Sequence, residues 1–130
     1  MESAAAQRAI TVLLVDDEAG VRRGLRMRLG REPDLVVVGE AEDGEGAIGL
    51  AASLQPDIVL LDVALPGRDG IGTATVLQTV VPSSAVVMLT LHDDTTTRAR
   101  ATAAGARTLI GKHEPMPKLL AAIRAAARCR

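Results

Sequence analysis

The sequence predicts a doubly wound α/β domain: a five-stranded parallel sheet with helices on both faces. Three observations predict it. Short apolar runs alternate with amphipathic stretches five times along the 130 residues. The central run, Ile58-Val59-Leu60-Leu61, is apolar at every position, as a strand covered by helices on both sides should be. The chain also carries turn chemistry between the runs, most plainly at Pro66-Gly67-Arg68-Asp69-Gly70, with no internal linker or low-complexity segment.

Each element has its own justification. Ile10 to Val15 is β-branched and almost uninterrupted, which predicts a buried strand. Ala19 to Gly30 repeats Val21, Leu25 and Leu29 at four-residue spacing with arginines between, which predicts a helix with one buried face. Leu35 to Gly39 is the second strand, and Gly44 to Leu54 sets Ala47, Ile48, Ala51 and Leu54 on one helical face. After the strand ending at Asp62 and its loop, Ile71 to Val80 forms a weaker helix that stops near Pro82. Ala85 to Leu89 is the fourth strand. Asp93 to Ala104 is a helix despite the lower propensity of Thr95-Thr96-Thr97, and Gly105 ends it. Arg107 to Ile110 is the fifth strand. Pro115 suits the first turn of a last helix that turns Leu119, Leu120 and Ile123 inward.

Composition narrows the function. Fifteen basic and sixteen acidic residues leave a net charge of −1, unlike a basic nucleic-acid-binding domain. There is no Phe, Trp or Tyr, so the core must be aliphatic and no ring can stack on a base. The single cysteine, Cys129, excludes an intrachain disulfide and reads as an incidental thiol. Residues 1–9 lack the apolar stretch of a secretory signal, and no apolar run approaches the ~18 residues of a membrane span. The expectation is a cytoplasmic protein without a membrane partner.

Ligands of doubly wound sheets bind beyond the carboxyl ends of the strands, where the strand order reverses. At those ends this chain places Asp16, Asp17 and Glu18, then Asp62, Thr90 and Lys112. Taken singly, each has a plainer role. Asp16 and Asp17 suit helix capping, Asp62 a loop, Thr90 a strand, and Lys112 a solvated surface. Together they bring three carboxylates to one edge, a repulsive arrangement unless a hard cation sits among them. Oxygen ligands at this density suit Mg²⁺ or Mn²⁺. The same set suits phosphoryl transfer onto Asp62 as nucleophile, with Lys112 adding positive charge and Thr90 a hydrogen bond.

The segments Val-Asp-Asp-Glu at 15–18, Leu-Leu-Asp-Val-Ala-Leu-Pro-Gly-Arg-Asp-Gly at 60–70, Leu-Thr at 89–90 and Gly-Lys at 111–112 resemble the receiver domain of bacterial two-component response regulators. The resemblance runs from about Ile10 to Ala127. Val38-Gly39-Glu40-Ala41 and Ala103-Ala104-Gly105-Ala106 are most similar to the NarL/FixJ-like subfamily. The resemblance implies a flavodoxin-like strand order 2-1-3-4-5. It implies Asp62 as phosphoacceptor, and Asp16 and Asp17 as the acidic pair around Mg²⁺, with Asp17 the direct ligand. The backbone carbonyl of Ala64 is a further ligand, Thr90 the hydroxyl that follows the phosphoryl group, and Lys112 the family lysine. It implies a sensor histidine kinase, or a small acyl phosphate, as donor. The result is a phosphoacceptor switch rather than an enzyme with a separate substrate. Its output, dimerisation or transcription regulation, would be controlled by reshaping the face of the fourth helix, fifth strand and fifth helix. Residues 1–130 are then a single receiver domain, and DNA is reached only through an output domain that these residues do not include.

The chain departs from the family pattern at three positions. Leu109 stands where an aromatic switch residue is usual, Leu91 is larger than the small residue common after the threonine, and Ala64 lacks a polar side chain. An altered phosphoryl lifetime is expected from the last. His92 lies near the site in sequence and reads most simply as a loop residue. A receiver-like interaction module that works without phosphorylation is the alternative. An aspartyl-phosphate phosphatase would want an acid where Ala64 stands, and a dinucleotide enzyme would want glycines where Asp16 and Asp17 stand. The last helix could support a homodimer, although its pattern serves the core equally well.

Overall fold

The computed structural model describes residues 8–128. In chain order it contains β1 (Ile10–Val15), α1 (Ala19–Leu29), β2 (Leu35–Ala41), α2 (Gly44–Leu54), β3 (Ile58–Asp62), α3 (Gly70–Val80), β4 (Ala85–Thr90), α4 (Thr95–Ala103), β5 (Thr108–Gly111) and α5 (Met116–Arg128). Every strand pair is parallel, and the sheet order is β2-β1-β3-β4-β5. The parallel sheet is the one expected from the alternation of elements, and its strand order is the one the family resemblance implies.

Strand alternation splits the core in two. Leu13, Val15, Val59, Leu61, Met88 and Leu109 point to the face covered by α2, α3 and α4. Val12, Leu14, Leu60, Val87 and Ile110 point to the face covered by α1 and α5. The first face is closed by Ala47, Ala51, Ala74 and Ala101, all 0–1% exposed. Small side chains there let three helices lie close to the sheet, so a core without rings still fills. Leu119 and Ile123 close the other face, as expected, with Leu120 half-buried.

Most differences from the sequence reading are at element ends. β2 runs two residues further, to Ala41, and its register against β1 shifts between Val12 and Leu13, leaving Val38 as the extra residue. Helix starts are set by aspartates: Asp43, Asp69 and Asp94 accept the backbone N–H of Gly46, Gly72 and Thr97 at 2.7–2.8 Å. Each such cap contributes about 1 kcal/mol, and the Asp94 cap is why α4 starts at Thr95 rather than Asp93. Pro115 precedes α5 and accepts from Lys118 N–H through its carbonyl, so Pro117 is the proline inside the first turn. Leu54, expected on the buried face of α2, is 40% exposed and lies over Gly39 of the edge strand β2. Of the α1 triad, only Leu29 is fully buried, because Val21 and Leu25 face a groove lined by Leu89, Ile110, Met116 and Leu119. Gly105 has φ +98°, the left-handed geometry expected of a helix-ending glycine. Cys129 and most of residues 1–9 lie outside the described residues. No helix among the described residues is long and apolar enough to cross a membrane.

Two polar clasps fix the frame away from the site. Asp57 accepts from the Thr11 N–H and hydroxyl, while the Thr11 hydroxyl oxygen accepts from Asp57 N–H, joining the start of β1 to the start of β3. Arg124 of α5 forms a two-pronged pair with Asp34 at 2.8 Å and also reaches Glu32 at 2.7 Å, tying α5 to the α1–β2 turn.

Candidate functional site

Parallel register aligns the strand ends. Val15 pairs with Leu61, Asp62 with Leu89 and Thr90 with Gly111, so Asp16, Asp62, Thr90 and Lys112 fall side by side on the carboxyl edge. The strand order reverses between β1 and β3, and Asp16 and Asp62 flank that point. A cleft of ≈ 370 Å³ opens there, walled by Asp17, Asp62, Thr90, Leu91, His92 and Lys112.

Carboxylate oxygens of Asp16, Asp17 and Asp62 lie within 4.8 Å of one another, a set able to hold a metal ion. Asp16 and Asp62 are buried and Asp17 is exposed. Lys112 Nζ bridges the buried pair, 2.9 Å from Asp16 Oδ2 and 3.2 Å from Asp62 Oδ2. The second oxygen of each carboxylate is bound locally: Asp16 Oδ1 accepts from Glu18 N–H at 2.9 Å and Asp62 Oδ1 from Ala64 N–H at 3.2 Å. Neither Asp16 nor Asp17 occupies the N-cap of α1. That position is Glu18, which makes no side-chain cap. The capping role considered for the acidic pair is therefore not the one they play.

Burial raises the Asp62 pKa above the ordinary value of 3.8. Nearby Asp16 adds to the rise, while Lys112 and the Ala64 N–H oppose it. Burial also works against the Lys112 ammonium, but its hydrogen bonds and attraction to Asp16 and Asp62 prevail and raise its pKa above 10.5. The Lys112 contribution to stability is thus complete below pH 10.5 and lost only as pH rises through its higher folded value. Asp62 works the other way. The folded state holds its proton more tightly, so stability falls as pH rises from 3.8 through the raised pKa, and the ionised side chain is a cost at neutral pH. Asp62→Asn is expected to stabilise the metal-free domain at pH 7 by about 1 kcal/mol, roughly 3–5 °C in Tm, and to leave it unchanged near pH 3. Thermal melts of both proteins at the two pH values check this.

Thr90 is buried, and its hydroxyl is engaged within its own loop: it accepts from His92 N–H at 3.0 Å and donates to the His92 carbonyl at 3.2 Å. His92 is therefore more than a loop residue near the site, since its backbone holds the Thr90 hydroxyl and its side chain lines the cleft. Leu91 lines the cleft and is 57% exposed, so the larger side chain stands at the rim. Leu109 is 3% exposed and packs with Met88, Ala101 and Ala104 beneath α4. Ala64 lines the cleft too. Thr97 of α4 also reaches the cleft, which the sequence reading missed because the threonine run was weighed only as a weak helix former.

Gly70 reads in sequence as a turn glycine, and the structure gives it a further role. α3 begins hard against the backbone of the Asp62 loop, and Gly70 N–H donates to the Val63 carbonyl at 2.8 Å. A Cβ at Gly70 would come 2.7 Å from Val63 Cα and 2.8 Å from its oxygen, and closer still to the Asp62 carbonyl oxygen. Only glycine permits this approach, which holds the loop bearing Ala64 beneath the cleft.

A parallel sheet in this order, with carboxylates and a lysine gathered at its switch point, defines a doubly wound α/β domain whose polar groups collect at the strand ends. The chain belongs to the response regulator receiver domain family, which it matches over residues 12–124. It is 33% identical over 118 residues to the transcriptional regulatory protein UhpA of Escherichia coli (strain K12), covering 91% of this chain and 59% of that protein. The chain thus spans little more than half of such relatives. The signal receiver domain of a response regulator named NarL from Mycobacterium tuberculosis superposes with a TM-score of 0.90 at 28% identity, over 95% of this chain and 99% of that one. A two-component response regulator of the LuxR family from Aurantimonas sp. SI85-9A1 gives the same TM-score at 32% identity, over 94% and 87% of the chains. These relatives are response regulators of NarL/FixJ type, the subfamily that the sequence resembles.

Proposed function

We propose that this domain is a phosphoacceptor switch of a two-component system, taking a phosphoryl group on Asp62 from a sensor histidine kinase or a small acyl phosphate. The observation that carries the reading is the meeting of Asp16, Asp17, Asp62 and Lys112 at the switch point of the sheet. Asp16, Asp17, Asp62 and the Ala64 carbonyl are the groups that would hold Mg²⁺, or Mn²⁺ in its place. When bound, the cation neutralises charge on the phosphoryl oxygens.

Asp62 supplies the nucleophile. A carboxylate oxygen forms the new P–O bond as the P–N bond of a phosphohistidine, or the P–O bond of an acyl phosphate, breaks and the donor leaves with the bonding pair. Lys112, already bound to Asp62 Oδ2, supplies an ammonium to the phosphoryl oxygens. Thr90 exchanges its bonds to the His92 backbone for one to the phosphoryl group, and that exchange begins the conformational change. In this reading the domain is a switch, not an enzyme with a separate substrate. It is cytoplasmic, and it controls transcription through an output domain that alone touches DNA.

Intact mass after incubation with acetyl phosphate and Mg²⁺ tests the reading. An adduct of about 80 Da, one phosphoryl group, is expected in the wild type, lost on chelation and absent in Asp62→Ala. The buried Leu109 at the usual aromatic position favours the second reading, a module that works by protein contacts alone. Absence of any adduct at saturating donor and Mg²⁺ would turn the assignment to it.

A further inference from the structure

Asp17 is exposed, and its carboxylate makes no hydrogen bond or ion pair among the described residues. Its aim is therefore set by the backbone on which it stands. That backbone is gripped on both sides. Asp16 N–H donates to the Ala41 carbonyl at 3.1 Å. The Asp16 carbonyl, in the peptide plane that leads to Asp17, accepts from Arg22 Nη1 at 2.6 Å. The Arg22 side chain is only 17% exposed, and its Nε donates to Glu40 Oε1 at 3.0 Å. The other oxygen of Glu40 accepts from Arg26 Nε at 2.6 Å. One planar guanidinium thus joins the end of β2 to the β1–α1 turn, a contact that needs two donors in fixed relation.

We infer that Arg22 is a positioning residue for the metal site: anchored on Glu40, it fixes the Asp16–Asp17 peptide so that both carboxylates face Asp62. The inference rests on the divalent-cation reading given above. Charge and geometry pull in opposite directions at this residue. Arg22 brings positive charge toward a cation site, so on charge alone its removal tightens divalent binding. If its grip sets the ligand geometry, removal weakens binding. Arg26 shares Glu40 but has no bond to Asp16, so it isolates the surface ion pair from the grip.

The test is a titration of the full chain with Mn²⁺ alone, following free ion by electron paramagnetic resonance well below the melting temperature of each variant. Arg22→Gln and Glu40→Gln are each expected to weaken Mn²⁺ binding roughly tenfold, as loss of an outer-shell partner does, and the double variant no further. Arg22→Lys keeps the charge but cannot make both contacts, and is expected to bind as weakly as Arg22→Gln. Arg26→Gln should lower thermal stability slightly and leave the Mn²⁺ affinity as it is. Arg22→Lys, which leaves the charge unchanged, carries the test if Arg22→Gln folds poorly. Wild-type binding that Arg22→Gln leaves equal or tighter would overturn the inference alone. Failure of the wild type to bind Mn²⁺ would remove the metal reading, and this inference with it.

Discussion

Replacing Lys112 by Met is expected to destabilise the metal-free domain by about 3 kcal/mol at neutral pH, because it strands two buried charges. The side chains of Asp16 and Asp62 are 3% and 7% exposed, and the ammonium between them, itself 16% exposed, is the cation that both contact. Methionine keeps the bulk of the lysine stem and removes only the charge. Two further results follow from the same physics. Lowering the pH should recover part of the loss, since the carboxyls can then hold protons and the repulsion falls. Adding Mg²⁺ should also recover part of it, because a hard cation among the carboxylates takes over the neutralising role. Urea unfolding followed by far-UV circular dichroism is the suitable measurement, as the chain has no aromatic residue to report by fluorescence. Formation of the Asp62 adduct from acetyl phosphate should slow about 10²-fold, the usual cost of losing one charge-stabilising donor. A loss below about 1 kcal/mol that Mg²⁺ leaves unchanged would mean that water screens the pair as it does on an exposed surface.

Gly70→Ala is expected to cost roughly 3 kcal/mol, more than overpacking at a flexible contact, because the added methyl meets backbone rather than the end of a side chain. The atoms it would strike are the Asp62 carbonyl and the Cα and carbonyl of Val63. Relief requires α3 to move away from the sheet or the 63–69 loop to lift. Either movement displaces Ala64, whose N–H holds Asp62 Oδ1 and whose carbonyl is the expected backbone ligand. The variant should therefore lose Mg²⁺ affinity as well as stability. Gly49→Ala is the control: a Cβ there meets nothing within 4 Å, in the exposed part of a helix, where alanine is the better residue. That substitution should be neutral or slightly stabilising. Comparable stability of the two variants would show that the loop yields easily.

The site was legible in sequence to the extent that each functional group ends a strand. Asp16, Asp62, Thr90 and Lys112 each follow a β-branched or leucine-rich run, and parallel register does the rest. The groups that support the site were not legible. Arg22 looks like one more polar residue on an amphipathic helix. Glu40 lies at the end of β2, beyond the residue where the strand pattern stops at Gly39. The bonds of Arg22 to the Asp16 carbonyl and to Glu40 join positions six and eighteen residues apart in ways no periodicity encodes. Leu54 failed for a related reason. Its helical phase is right, but the face it shares overhangs an edge strand, and phase says nothing about where a sheet ends.

The sequence by itself determined the order of elements, the parallel sheet and the edge on which the chemistry collects. Those follow from periodicity and turn residues, which act over a few residues and survive whatever the rest of the chain does. Tertiary structure alone decided that Lys112 bridges Asp16 and Asp62 across 96 and 50 residues, that the Thr90 hydroxyl is held by His92, and that α3 presses on the Asp62 loop through Gly70. Those are pairings between distant segments. Each depends on register, on which helix covers which face, and on how closely small side chains let the layers approach.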